Sequence, residues 1–333
     1  MRTALCTTTI HIPRVLDLYR AYDPDVTCYV ASDEHPQQAL YDYCANGICF
    51  LEPRYQINEW KCGSVLPWKS LSRRNLAFLA ALKDGADIVI SVDDDNMPMS
   101  ESYFWDYEHI FETPFNGLAA SSDTHWFDPG QLLVPQTKHR GIPHGRHRHR
   151  YETVTNAKIG AAAGLVLGDP DIDATTRIEH YPDIHQVSQL AHSGVIVSHC
   201  IHAVFNSQNS AVLREFVPAW FMPPGVGRHD DIFASLIVQR VMRDRGYHVH
   251  FGRPFAWQQR NEHNLISDLR KEIDGYENVV KLADLLDRMA ISGESVIDDV
   301  RTIYDALDHT DYIPKQAIVA AMAWLDDCER VMR

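Results

Sequence analysis

Between residues 3 and 92 short apolar runs alternate with helix-like stretches, and this alternation restricts the fold more than any other feature of the chain. "TALCTTT", "VTCYVAS" and "GICFLEP" are β-prone and too short for helices. Between them, "PQQALYDYCANG", from Pro36 to Gly47, reads as a helix closed by the glycine. "SLSRRNLAFLAALKDGAD" is a second helix, with Leu71, Leu76, Leu79, Ala80 and Leu82 on one face and Gly85 as its stop. "DIVISV" follows, apolar at almost every position as buried parallel strands are. A β-α-β-α-β succession predicts an α/β fold, an open sheet with helices on its faces.

After Asn96 the periodicity loosens, and residues 100 to 160 read as long insertions rich in aromatics, Pro and Gly. "HRGIPHGRHRHRYE" (139 to 152) has no hydrophobic period and reads as an exposed basic loop. Strand-like patterns return in "AGLVLGDPDIDA" and "VIVSHCIHAVFN", then a helix in "DDIFASLIVQRVMRDRG" and a strand in "YHVHFGRPFAW". From about residue 265 the chain is helical. Ser295 is placed as an N-cap, and Pro314 starts the last helix. The organisation expected is a unit over 1–264 and a helical extension over 265–333, which packs on the core or on a second subunit as a homo-oligomer contact.

At 333 residues the chain is long enough for a full core, and its formal net charge of −14 argues against an extended nucleic-acid partner. A small phosphorylated ligand stays open, because a metal ion can mediate between two anions. No run approaches the roughly 18 apolar residues of a membrane span. "MRTALCTTTIHIPRV" lacks a secretory pattern, and the seven cysteines are scattered without a C-x-x-C pair. Together these point to a reduced, cytoplasmic protein.

Three segments carry chemistry. Asp93, Asp94 and Asp95 end the "DIVISV" strand, where ligands gather in open α/β sheets. Hard cations such as Mg²⁺ and Mn²⁺ prefer carboxylate oxygens. Strand alternation would aim Asp93 and Asp95 at one site and Asp94 elsewhere. The competing reading is a solvated acidic turn. Asp230 and Asp231 open a helix, where the dipole favours the ionised form. They are either simple caps or, behind Arg228 and His229, a general base toward a hydroxyl. Lys69, Arg73 and Arg74 stand at a helix start, where cations oppose the dipole. Contacts to a phosphate or nucleobase would explain them, and so would a solvated basic face.

Together these segments resemble nucleotide-sugar-dependent glycosyltransferases of the GT-A type. They are similar above all to the reversibly glycosylated polypeptide family, the UDP-arabinopyranose mutases, and to STELLO-type proteins. The likeness rests on "SRRNLAFLAALKDGADIVISVDDDN", "GLVLGDPDIDATT" and "GRHDDIFASLIVQRVMRDRGYHVHFGRPFAWQQRNEHNLISDLRKEIDGYE", in order over roughly residues 1 to 277. It implies a GT-A-like, Rossmann-like mixed sheet over 1–264 with the helical extension behind it. Asp93 and Asp95 would ligate Mn²⁺ or Mg²⁺, with His263 as a further ligand. Asp94 would contact the ribose or donor sugar, and Thr7, Thr8, Thr9 and Asp33 the nucleoside. Arg73 or Arg74 would bind the nucleotide, with Arg228 beside them, and Asp230 and Asp231 would line the sugar or acceptor site. The partners implied are a UDP-sugar donor and a small soluble acceptor. Val154 stands where the mutases carry their glycosylated arginine, and Trp257-Gln258 where they carry Trp-His. Transfer to an acceptor is therefore the first expectation. Ring mutation of a UDP-sugar and a non-catalytic nucleotide-sugar-binding subunit are the alternatives.

Overall fold

The computed structural model describes residues 1–259 and 264–333. In chain order the elements are β1 (Thr3–Thr9), α1 (Val15–Tyr22), β2 (Thr27–Ser32), α2 (Gln38–Cys44), β3 (Cys49–Leu51), α3 (Pro53–Glu59), α4 (Arg74–Lys83) and β4 (Ile88–Val92). Then come β5 (Asn96–Pro98), α5 (Tyr103–Glu112), β6 (Phe115–Ser122), β7 (Leu133–Val134), β8 (His149–Ala163), β9 (Val166–Gly168), α6 (Ala174–Glu179), β10 (Gln186–Val187) and α7 (Gln189–Ser193). The rest is β11 (Val195–Val197), β12 (Asn209–Leu213), α8 (Asp230–Arg243), β13 (Tyr247–Phe251), β14 (Ala256–Gln258), α9 (Leu265–Arg288), α10 (Val296–Leu307) and α11 (Lys315–Met332).

Nine strands form one mixed sheet in the order β13-β11-β6-β8-β12-β4-β1-β2-β3. The predicted β-α-β-α-β start is its parallel half, β3, β2, β1 and β4. β12 enters antiparallel beside β4, with Asn209 opposite Val92. Alternation along the strands splits the core in two. Ala4, Cys6, Tyr29, Ala31 and Val89 face the layer of α4, α8 and the C-terminal helices. Leu5, Cys28, Val30, Ile88 and Ile90 face α1, α2 and α5. Phe78 of α4 stacks on Trp220 at 4.7 Å, and Trp324 of α11 donates its indole N–H to Pro218 O at 2.9 Å. α9, α10 and α11 thus close the same apolar cluster as the sheet. Ser295 accepts from the Asp298 amide as an N-cap, and Pro314 precedes α11. No helix among the described residues is long and apolar enough to cross a membrane.

Several local expectations need correction. α4 is buried on all sides from Arg74 to Leu82, so it has no single apolar face. It lies between the sheet and α11, and covered helices lose their polar side. Residues 100 to 160 are not loose insertions: they hold α5 and two strands of the main sheet, β6 and the 15-residue β8. Much of β8 is a solvent-facing ribbon, so it lacks the apolar alternation that marks a strand. The basic segment is not an exposed loop throughout. Arg140, Gly141 and Ile142 are buried, and β8 begins at His149. Within 195 to 206 only Val195–Val197 is strand.

Candidate functional site

β1, β2 and β4 end at one edge of the sheet, so Thr9, Asp33 and Asp93 fall side by side, and the antiparallel β12 brings Ser207 and Gln208 to the same edge. Two adjoining cavities open there. One, of about 300 Å³, is lined by Thr8, Thr9, Asp33, Arg73 and Arg74. The other, of about 620 Å³, is lined by Asp95, Arg140, Asp171, Arg228, Asp230 and Asp231, with Gln208 and Gln258 on its wall. Asp93, Asp94, Lys69, Ser70 and Leu71 line both and form the boundary.

The acidic triplet is a turn, not a strand continuation: the chain bends after Val92, and the Asn96 amide donates to Asp93 O. Alternation therefore does not apply, and all three carboxylates line the larger cavity. Each is held by a different element. Arg74 Nη2 donates to Asp93 Oδ1 at 2.8 Å, and Thr9 Oγ1 donates to Asp94 Oδ2. Gln258 Nε2 donates to Asp95 Oδ1 at 2.9 Å. Burial pushes the Asp94 pKa up, partly offset by the Thr9 hydrogen bond. Gln258 reaches Asp95 because β14 pairs antiparallel with β5, setting Gln258 opposite Asn96.

The two arginines are not solvated. Arg74 also donates to Ser91 Oγ and Ser207 O, so it ties α4 to β4 and to the β12 side of the cleft. Arg73 turns its guanidinium into the protein, against the carbonyls of Gly63, Leu66 and Pro67, with Trp68 stacked on it at 3.3 Å. Burial lowers its pKa to about 10. Lys69 is different. It is exposed, with a left-handed backbone (φ 55°) fixed by its amide donating to Asp33 Oδ1 at 2.9 Å. Its ammonium has no hydrogen bond or ion pair among the described residues.

Opposite, α8 presents Asp230 and Asp231 in its first turn. Asp231 is buried and locked. Arg140 Nη2 reaches both its oxygens, and Ser207 N donates to Oδ2 at 3.0 Å. Asp230 accepts only the Asp231 amide, at 3.0 Å, among the described residues. Burial, and then the charge of Asp231, push Asp230 up to about 7. The two carboxylates are thus chemically unequal: one is held in an ion pair, and the other is poised to exchange a proton near neutrality. Behind them Arg140 also binds Asp171, its Nη2 at 2.6 Å from Oδ2. Arg228 lines the cleft but is engaged by Glu272 of α9 at 2.9 Å and by Asp268 at 3.5 Å. Glu272 also accepts the Ala174 amide and the Tyr276 hydroxyl.

The cleft therefore gathers Thr8, Thr9, Asp33, Arg74, Asp93 to Asp95, Arg228, Asp230 and Asp231. Thr7 is buried in β1 and lines neither cavity, while His263 lies outside the described residues. Arg140, Asp171, Gln208 and Glu272 escaped the sequence reading. Only the apolar Ile142, two residues from Arg140 in the basic segment, hinted at burial there.

The donor set suits a hard divalent cation. Among the described residues Asp93 Oδ2 and Asp94 Oδ1 make no hydrogen bond, and the buried Oε1 of Gln208, a residue of the same cavity wall, lacks a partner. No group of three His, Cys, Asp or Glu side chains converges as a ready metal cage among the described residues. A cation here would complete its shell with ligand oxygens and water, as Mg²⁺ commonly does. Fold and cleft define an α/β protein with an acid-lined cleft at the carboxyl edge of a mixed sheet. Compared with protein-family models and with curated protein sequences, the chain matches none.

Proposed function

We propose that the chain is a metal-dependent glycosyltransferase of the GT-A type that moves a sugar from a nucleoside diphosphate sugar, a UDP-sugar, to a small acceptor. The observation that carries this reading is the shared wall. Asp93 and Asp94 separate a pocket of nucleoside size from a larger cleft whose far side holds Asp230 and Asp231. A nucleoside in the first pocket sets its diphosphate across that wall and its sugar against α8. The sheet order β3-β2-β1-β4 with an antiparallel β12 next to β4 supports a GT-A-like frame.

Asp93 and Asp95 would hold Mn²⁺ or Mg²⁺ against the diphosphate, where the ion supplies Lewis-acid stabilisation of the leaving group. Arg74 pairs with Asp93 and orients it, and Gln258 orients Asp95. Thr9 holds Asp94 toward the donor sugar or ribose. In an inverting transfer Asp230 accepts the acceptor hydroxyl proton, for which a pKa near 7 is well matched. Asp231, neutralised by Arg140, keeps the first turn of α8 in place.

Thermal stabilisation by UDP-sugars and GDP-sugars with and without Mn²⁺ tests this reading. A metal-dependent rise with UDP-sugars, lost in Asp95→Ala, is expected. Equal stabilisation in chelator rules out the metal role. Release of UDP only when an acceptor is added marks transfer, whereas ring-form interconversion without UDP release marks a mutase.

A further inference from the structure

Beyond the acidic cleft a second cavity, of about 540 Å³, lies between α8, α9 and the turn that joins α10 to α11. Its volume falls in the range of small-ligand pockets. Gly225, Gly227 and Lys271 line this cavity and the cleft alike, so the two are neighbours across one thin ridge. The ridge is mostly backbone. A Cβ on Gly227 would lie 2.1 Å from Lys271 O, and the Arg228 amide donates to that same carbonyl at 3.3 Å. Gly225 and Gly227 both have positive φ, 84° and 68°, and Asp230 follows three residues after Gly227. A molecule seated in the cavity is therefore separated from the proposed base by only a short glycine-bearing loop.

The lining has a definite chemistry. Arg270 and Lys271 have no ion pair or side-chain hydrogen bond among the described residues, so both cations line the cavity open to an anionic ligand. Lys315, at the far side, is held by Asp308 at 2.9 Å. Asp274 and Asp311 also line the cavity and have no ion pair among the described residues, leaving carboxylate oxygens to accept hydroxyl hydrogens. The cleft itself carries six carboxylates, at Asp93, Asp94, Asp95, Asp171, Asp230 and Asp231. Apart from a diphosphate held by a metal ion, those carboxylates disfavour a further anion in the cleft, whereas the open cations Arg270 and Lys271 favour one in the neighbouring cavity.

We infer that this cavity is the acceptor subsite, and that the acceptor is a small polyhydroxylated molecule carrying an acidic group, a phosphate or a carboxylate. The acid pairs with Arg270 and Lys271, other hydroxyls meet Asp274 and Asp311, and the reacting hydroxyl crosses the ridge to Asp230. In the transfer, that hydroxyl oxygen bonds the anomeric carbon as the bond to the diphosphate breaks. The bonding pair leaves with the diphosphate, and the hydroxyl proton goes to Asp230. This inference rests on the glycosyltransferase reading for its role, but its binding chemistry is tested separately.

The experiment is calorimetric titration of the full chain with glucose 6-phosphate, glucuronate and glucose, each without nucleotide, and in parallel with UDP plus Mn²⁺. Saturable binding of at least one acidic probe is expected, at least tenfold tighter than glucose, and the stronger of the two identifies the acid. Arg270→Gln, at an exposed helix position that lines only the second cavity, should weaken that binding about tenfold and leave UDP binding unchanged. Circular dichroism checks that the variant is folded. No binding of either acidic probe, binding equal to that of glucose, or an unchanged affinity in Arg270→Gln overturns the inference. Failure of UDP to bind, with acidic probes still retained, overturns the nucleotide-sugar reading and leaves the anion subsite standing.

Discussion

The Nη2 atom of Arg140 lies 3.0 Å from Oδ1 and 3.1 Å from Oδ2 of Asp231, while the same guanidinium binds Asp171. All three side chains are at most 7% exposed. One cation thus pairs with two carboxylates from distant parts of the chain and fixes the start of α8. Replacing it removes the main counter-charge of Asp231 and the bidentate partner of Asp171. Arg140→Met is expected to lower stability by about 3–5 kcal/mol, the usual cost of an uncompensated buried charge. Adding Asp171→Asn should recover part of that loss. Urea unfolding of the single and double variants measures both, and additive effects would show that the pair is not coupled.

Asp230 sets a pH dependence with a definite sign. An acid whose folded-state pKa is raised binds its proton more tightly when folded, so it contributes stability at low pH that is lost as pH rises. Here the window runs from the ordinary carboxylate range, about 4, up to about 7. The buried Asp128, pushed up to about 7 by burial, adds to the same slope. Asp230→Asn should therefore flatten the loss of stability between these pH values only in part. Turnover runs the other way, rising with pH through about 7 as the base ionises, and Asp230→Asn should lower it by about 10²- to 10⁴-fold. Melting temperatures and a kcat/KM profile check the two signs.

Lys69 combines strain with a charge that has no partner among the described residues, at the boundary of the two cavities. A left-handed backbone costs a non-glycine residue about 1–2 kcal/mol, and glycine loses about 0.5–1 kcal/mol of backbone entropy. The first term is larger, so Lys69→Gly should be as stable as the parent or up to about 1.5 kcal/mol more so. The same change should weaken UDP binding about tenfold and leave uridine binding nearly unchanged. Titrations with both ligands, beside a denaturation curve, give the answer. A destabilised variant that binds UDP normally would make Lys69 purely structural.

Gly275 lets α9 approach α8. A Cβ there would stand 2.0 Å from Nδ1 of His229, whose ring is buried and kept neutral, with a pKa lowered to about 3 by burial and next by Arg140. Both ring nitrogens lack a hydrogen-bond partner among the described residues, so the ring acts as a packing body. Gly275→Ala should cost about 1–3 kcal/mol through overpacking. His229→Ala in the same chain should relieve most of it, which thermal unfolding of the double variant will read.

Much of this was legible in the chain. The parallel half of the sheet announced itself because fully apolar strands and glycine-stopped helices leave strong local marks, and Asp93 to Asp95 followed from strand-end geometry. The C-terminal helices were equally readable from the spacing of Val300, Ile303, Tyr304 and Leu307, all buried in α10. Arg140 and Asp171 were not. Their partnership joins positions 31 residues apart through a buried contact that no local period records. Nor could sequence tell Arg73 from Arg74: adjacent cations on one helix start diverge into a carbonyl nest and a carboxylate contact only once the loop around Gly63 is in place. Asp230 and Asp231 looked alike for the same reason, since a locked carboxylate differs from a proton-exchanging one by partners that come from elsewhere.

Glu272 also bears on how the protein is made. It caps the Ala174 amide from 98 residues further along the chain and holds Arg228 from 44 residues away. A nascent polypeptide paused after α8 has left the ribosome thus carries a half-walled cleft, with Arg228 short of its α9 partners and the Ala174 amide without its Glu272 acceptor. Its apolar face toward α10 and α11 is uncovered as well, the kind of surface that chaperones engage. A premature stop near residue 265 should therefore yield a degraded product, not a smaller folded protein.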